Sequence, residues 1–120
     1  MINHLGGVSV AGGKMKTTGT LQAGTGLWNT PNTGATNESG FSALPAGYYI
    51  HWTSSPNYEN INNHTDFWSS TQVEGIGMYT YVLYSSSAQV YSFVKDYYAE
   101  PFDSWSVRCI RNGSYFDWSC

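Results

Sequence analysis

A chain of 120 residues with a net charge of −3 has room for one domain and one modest core, and its five basic residues form no cluster able to neutralise a run of phosphates, which excludes a nucleic-acid partner. Charged residues make up 11% of the chain against about 25% in an average soluble domain, while aromatic residues reach 17%. Solubility must therefore come from Ser, Thr, Asn and Gly, a surface suited to an extracellular or cell-surface setting, and no apolar run approaches the ~20 residues that a membrane-spanning helix needs.

Residues 2–10 place Ile2, Leu5, Val8 and Val10 around a Gly6-Gly7 pair, so 1–11 reads as the end of a helix running into a glycine cap. Residues 1–13 lack the basic start and long apolar stretch of a secretion signal, so an exported protein would have lost its signal or would carry it on a longer parent chain. Lys14 to Thr20 reads as a short strand or turn, followed by a glycine-rich stretch to Gly26.

The segment WNTPNTGATNESGFSALPAGYY, Trp28 to Tyr49, is the most informative part of the chain. It packs turn-forming residues between aromatic anchors, so its peptide groups must be satisfied by side-chain amides, hydroxyls and turns. Phe41, Leu44 and Tyr48 are the expected buried anchors of its second half, with Pro45 and Gly47 setting a turn into a strand. Ser54 to Thr65 is polar and loop-like, and Phe67 to Thr71 resumes a strand.

The clearest hairpin follows: Met78–Tyr84 and Ala88–Lys95, both rich in β-branched and aromatic residues, joined by Ser85-Ser86-Ser87. Neither face of the hairpin is clearly polar. The last expected strand is Trp105 to Arg111, with Trp105, Val107 and Cys109 on one side, and 112–120 forms a C-terminal tail. Cys109 and Cys120 either close a loop in an oxidising compartment or stand free as small buried residues. The fold class is α+β, mostly antiparallel β with long ordered loops.

Four candidate chemistries follow from the residue types. Asn29, Asn32, Asn37 and Glu38 are the candidates for a calcium ion, but one carboxylate and three amides fall short of the about six to eight hard oxygen ligands that calcium takes. The competing reading has the amides bonding their own loop backbone and Glu38 accepting from nearby amides. His4, His51 and His64 have no metal-ligand spacing and read as solvated loop or edge residues. No nucleophile elbow or Cys-His signature is present, so no catalytic residue is assigned, no cofactor is expected and the chain is read as a non-enzyme. Aromatic contact with a glycan or an extracellular protein is the sharper expectation, since Tyr and Trp offer flat apolar faces with a polar tip. Tyr58, Tyr97, Tyr98, Phe102 and Trp52 are the expected ligand-binding residues, whereas Trp28, Phe41, Trp68, Trp105 and Val107 are expected inside. Arg108 and Arg111 are expected to make salt bridges or cap loop carbonyls.

The blocks Gly12 to Thr20, Trp28 to Gly47, Phe67 to Thr71 and Ser106 to Arg111 together resemble the Fibrobacter succinogenes major paralogous domain, a family of secreted and surface proteins of Bacteroidetes-like bacteria and their phages. The resemblance implies a C-type-lectin-like fold related to formylglycine-generating enzymes, in which two short helices flank an antiparallel sheet and a long loop region supplies the ligand surface. It also implies that the final strand returns beside the first. The paired active-site cysteines of those enzymes have no counterpart here, and the sugar-binding motifs of C-type lectins are missing. Compared with the family, the chain looks N-terminally shortened: the upstream strand and helix, with the cysteine that would be the mate of Cys109, are absent. The tail 112–120 would then substitute by folding back or would fill the sheet edge so uncovered. The function implied is a non-catalytic, extracellular ligand-binding domain of a secreted or surface bacterial or phage protein. The alternatives are a spacer module of a surface protein and a diversified receptor-binding protein of a retroelement system.

Overall fold

The structure, a computed structural model, describes residues 1–51, 57–96, 103–111 and 118–119. A 3₁₀ turn at Asn3–Leu5 closes on Gly6, whose left-handed backbone (φ 99°) lets its N–H reach Asn3 O. The helix α1, Val8–Met15, then begins after the glycine pair, with Gly7 as its N-cap. This corrects the expectation that 1–11 is the end of a helix. The glycine pair does close a turn, but the principal helix follows it and runs through Gly12 and Gly13, residues that lower helix propensity and so hide the element from sequence. Their bareness is what packing requires: a Cβ on Gly12 would strike the backbone of Ala88 and Gln89, and one on Gly13 the backbone of Gly34. Ala11 and Met15, one turn apart, complete the buried face.

Lys16 leaves the helix in extended conformation and bridges Ala43 in parallel. Its side chain is fully buried, and its ammonium donates to Thr33 O (3.0 Å), Tyr84 O (2.8 Å) and Ser87 O (2.9 Å) while lying 5.3 Å from the centroid of Trp28. Burial lowers its pKa to about 8. One cation thus ties the end of α1 to the long loop and to the turn of the hairpin, with a carbonyl for each of its protons.

The main sheet is an antiparallel meander: β1, His64–Val73; β2, Gly77–Tyr84; β3, Val90–Asp96. Its register places Trp68 opposite Thr80 and Thr80 opposite Phe93, and slips between Trp68 and Gln72. The predicted hairpin is therefore present, shifted by a residue or two at its ends. A small hairpin of Tyr48–Ile50 and Asn57–Glu59 pairs Tyr49 with Tyr58. It is tied to β1 by a parallel bridge between Gly47 and Thr65, and to the chain's last third by an antiparallel bridge between Tyr49 and Ser104.

Period-two alternation gives the meander two covered faces. On one, Leu83 and Val90 join Leu5, Ala11, Met15, Trp28 and Ala43 in the core, with Phe41, Phe67 and Tyr81 packed around it. On the other, Trp68 meets Trp105 edge-on at 4.7 Å and Lys95 lies 4.9 Å from the centroid of Trp105. The central strand β2 is covered on both sides, which explains why neither of its faces reads as polar.

Three expected core or strand positions are corrected. Leu44 is 50% exposed because Ala43 and Pro45 turn inward on either side of it. Val107 is 61% exposed, and Trp105–Arg111 is not one strand. Ser104 and Ser106 bridge two different partners, Tyr49 and Phe67, and only Ile110–Arg111 is extended further on, pairing with Trp118–Ser119 rather than with the first strand. Cys109 is disulfide-bonded, which resolves its two readings; the chain's other cysteine, Cys120, lies outside the described residues.

Candidate ligand-binding surface

The long loop is held by side-chain bonds and also by backbone bonds to distant segments, with the Thr33, Thr36 and Ser39 N–H groups donating to Ser85 O, Gly13 O and Lys14 O. Trp28, fully buried, donates from Nε1 to Ala43 O at 3.1 Å and pins the first half of the loop to the second. Asn32, with left-handed φ of 47°, turns its amide inward to donate to Thr17 O (3.0 Å) and Gly19 O (2.8 Å); its Oδ1 is buried without a donor among the described residues. Asn37 exchanges two bonds with Ser42, one through the Ser42 N–H and one to its hydroxyl, both at 2.9 Å. Asn29 instead reaches out of the loop to Asn63 Oδ1 (2.8 Å) while its own oxygen accepts from Gln22 (2.9 Å). Glu38 does not accept from loop amides: its carboxylate lies 3.4 Å from the Lys14 ammonium. The four calcium candidates therefore have separate engagements, and among the described residues no group of three His, Cys, Asp or Glu side chains converges.

The exposed aromatic surface lies on the small hairpin. Direct pairing of positions 49 and 58 sets two tyrosine rings side by side, 5.1 Å between centroids and tilted by 59°. Tyr58 is 63% exposed, and His51 adds a third ring 6.3 Å from Tyr49. His51 is held at the edge by its N–H, which donates to Asp103 Oδ1 at 3.0 Å. The two tyrosines open onto a cleft of about 280 Å³ that is also lined by Ser104, Trp105 and Ser106, with Ser104 exchanging backbone bonds with Tyr49. Of the expected ligand-binding residues, Tyr58 stands on this surface; Trp52, Tyr97, Tyr98 and Phe102 lie outside the described residues.

Beside the cleft runs an aromatic row that sequence reading missed. Tyr48 stacks on His64 (5.1 Å, 4°), His64 meets Tyr84 edge-on (5.2 Å), and Tyr84 meets Tyr91 in the same way (5.3 Å). His64 is buried, which corrects its reading as a solvated residue, and its Nε2 sits 3.1 Å from Asp66 Oδ2. The signal was present in the strand alternation, since His64 and Asp66 are two residues apart and share a face. Burial, and after it the charge of Asp66, holds the Tyr84 phenol above its ordinary pKa. Arg108, expected to form a salt bridge or a cap, instead places its guanidinium 5.6 Å from the centroid of Phe41.

Among the described residues no helix is long and apolar enough to cross a membrane. A family model described as the Fibrobacter succinogenes major domain matches residues 1–111. No curated protein and no solved structure matches the chain.

Proposed function

The chain belongs to the Fibrobacter succinogenes major domain family, and from that premise we propose that it is a non-catalytic, C-type-lectin-like domain that binds a glycan outside the cell. The observation that carries the reading is the Tyr49–Tyr58 pair at the mouth of the small cleft. An exposed ring offers an apolar face for the C–H surface of a sugar, its hydroxyl provides a polar tip, and the ring behind it limits the entropy lost on binding. The hydroxyls of Ser104 and Ser106, which also line the cleft, can bond the sugar's own hydroxyls. An extracellular setting is supported by the disulfide at Cys109 and by the low charge content. The lectin-like arrangement is supported by an antiparallel meander joined to a long, internally bonded loop.

Tyr58→Ala tests this on a glycan array. Loss of one exposed stacking ring is expected to weaken binding by about tenfold, with Tyr58→Trp restoring it and the urea midpoint unchanged in both. Unaltered array signal for Tyr58→Ala, or no saturable signal for the wild-type chain, overturns the reading.

A further inference from the structure

A second opening lies across the molecule's core and shares no lining residue with the tyrosine cleft. It is a groove of about 610 Å³ between α1 and the core face of the meander, within the range of about 300–1,000 Å³ that small-molecule sites occupy. Phe67, Tyr81 and Leu83 form its floor, and Met15 and Phe41 its sides. These are side chains of the core cluster and of the partly buried residues packed on it, so the groove exposes a strip of the core.

One feature of the lining is chemical rather than apolar. Arg108 stands at the groove, its guanidinium 5.6 Å from the centroid of Phe41, with no carboxylate partner among the described residues. No carboxylate lines the groove among those residues; Met1, which carries the amino terminus, lines it together with neutral polar groups such as the Ser69 and Ser92 hydroxyls. A guanidinium presents a planar fork of donors that fits a carboxylate through two parallel hydrogen bonds.

We infer that this groove is a binding site for an acyl carboxylate: a single anionic head on Arg108 and an apolar chain along Phe67, Tyr81 and Leu83. The apolar floor gains by removing the chain from water, and the Arg108 guanidinium can pair with the carboxylate head. The site is independent of the glycan reading and survives its failure.

Dodecanoate, held below its micelle-forming concentration, is the probe, with binding followed by calorimetry and by the fluorescence of Trp68 at the groove wall. Saturable binding is expected for the wild-type chain. Arg108→Gln, a change at an exposed position, should weaken it by about tenfold or more, and dodecanol should bind more weakly than dodecanoate by a similar factor. Ser92→Trp, which places bulk in the groove from an exposed strand position, should abolish binding, while Tyr58→Ala should leave it unchanged. No saturable binding, equal affinity for dodecanol and dodecanoate, an unaffected Arg108→Gln variant or an unaffected Ser92→Trp variant overturns the inference.

Discussion

A lysine with no solvent exposure must find an oxygen for each ammonium proton, and Lys16 finds one on the long loop and two at the hairpin turn. Replacing it with Met keeps most of the buried volume and strands three carbonyls, so Lys16→Met should lose about 3–5 kcal/mol in urea unfolding. The same side chain gives stability a pH dependence of defined sign. Burial has lowered its pKa to about 8 from 10.5, so between those values the unfolded chain binds a proton that the folded chain does not. Stability should therefore rise with pH from about 8 towards 10.5, and Lys16→Met should lack the slope. The comparison belongs below pH ~9.5, because the raised phenol of Tyr84 acts in the opposite direction once tyrosines ionise in the unfolded chain. A urea midpoint that falls between pH 8 and 9.5 in the wild-type chain alone would contradict this account. Nothing in the composition singles out Lys16 from Lys14 two residues earlier; one is buried and the other pairs with Glu38 at the surface.

The helix and the hairpin turn meet through bare backbone. Gly13 donates its N–H to Ala88 O at 2.9 Å and accepts from the Thr36 N–H at 3.2 Å, while its Cα faces Gly34. In an exposed helix, Gly→Ala would stabilise by about 1 kcal/mol through propensity. Here Gly13→Ala should destabilise by about 2 kcal/mol or more, because the added methyl meets backbone that cannot step aside. Thermal unfolding of Gly13→Ala beside Val10→Ala, a helix position that is exposed, separates packing from propensity. The hairpin was legible because β-branched and aromatic residues cluster on both sides of a serine turn, and that signal is local. The helix was not, since its glycines serve contacts with residues 34, 88 and 89 that no local pattern announces. Trp105–Arg111 misled for a related reason: alternation suggested one strand, but its bridges go to two different partners before it reaches its final pairing.

Over the whole molecule, the loop from Trp28 to Gly47 behaves as a packed layer instead of a tether. It contributes Trp28 and Ala43 to the core, and its amides are spent on the backbone of Thr17 and Gly19 ahead of it, on Asn63 and on Ser42. Since Asn29, Asn32, Asn37 and Glu38 have separate partners, melting in calcium and in EDTA should differ by less than about 1 °C; a calcium-dependent rise would place an ion among them. The amide- and glycine-rich composition by itself determined that this segment would be a turn-rich loop anchored on tryptophan, whereas the backbone carbonyls of Gly13, Lys14, Asn62 and Ser85 that accept from its N–H groups belong to distant segments. Strand-forming runs likewise determined the antiparallel meander, through preferences that act over a few residues. Only the tertiary structure decided which lysine is buried, that His64 lies between two tyrosines, that Val107 faces solvent and that a groove beside Arg108 stays open. Each of those depends on partners distant in the chain, and burial is a property of what covers a residue, which a residue's own neighbours in sequence do not specify.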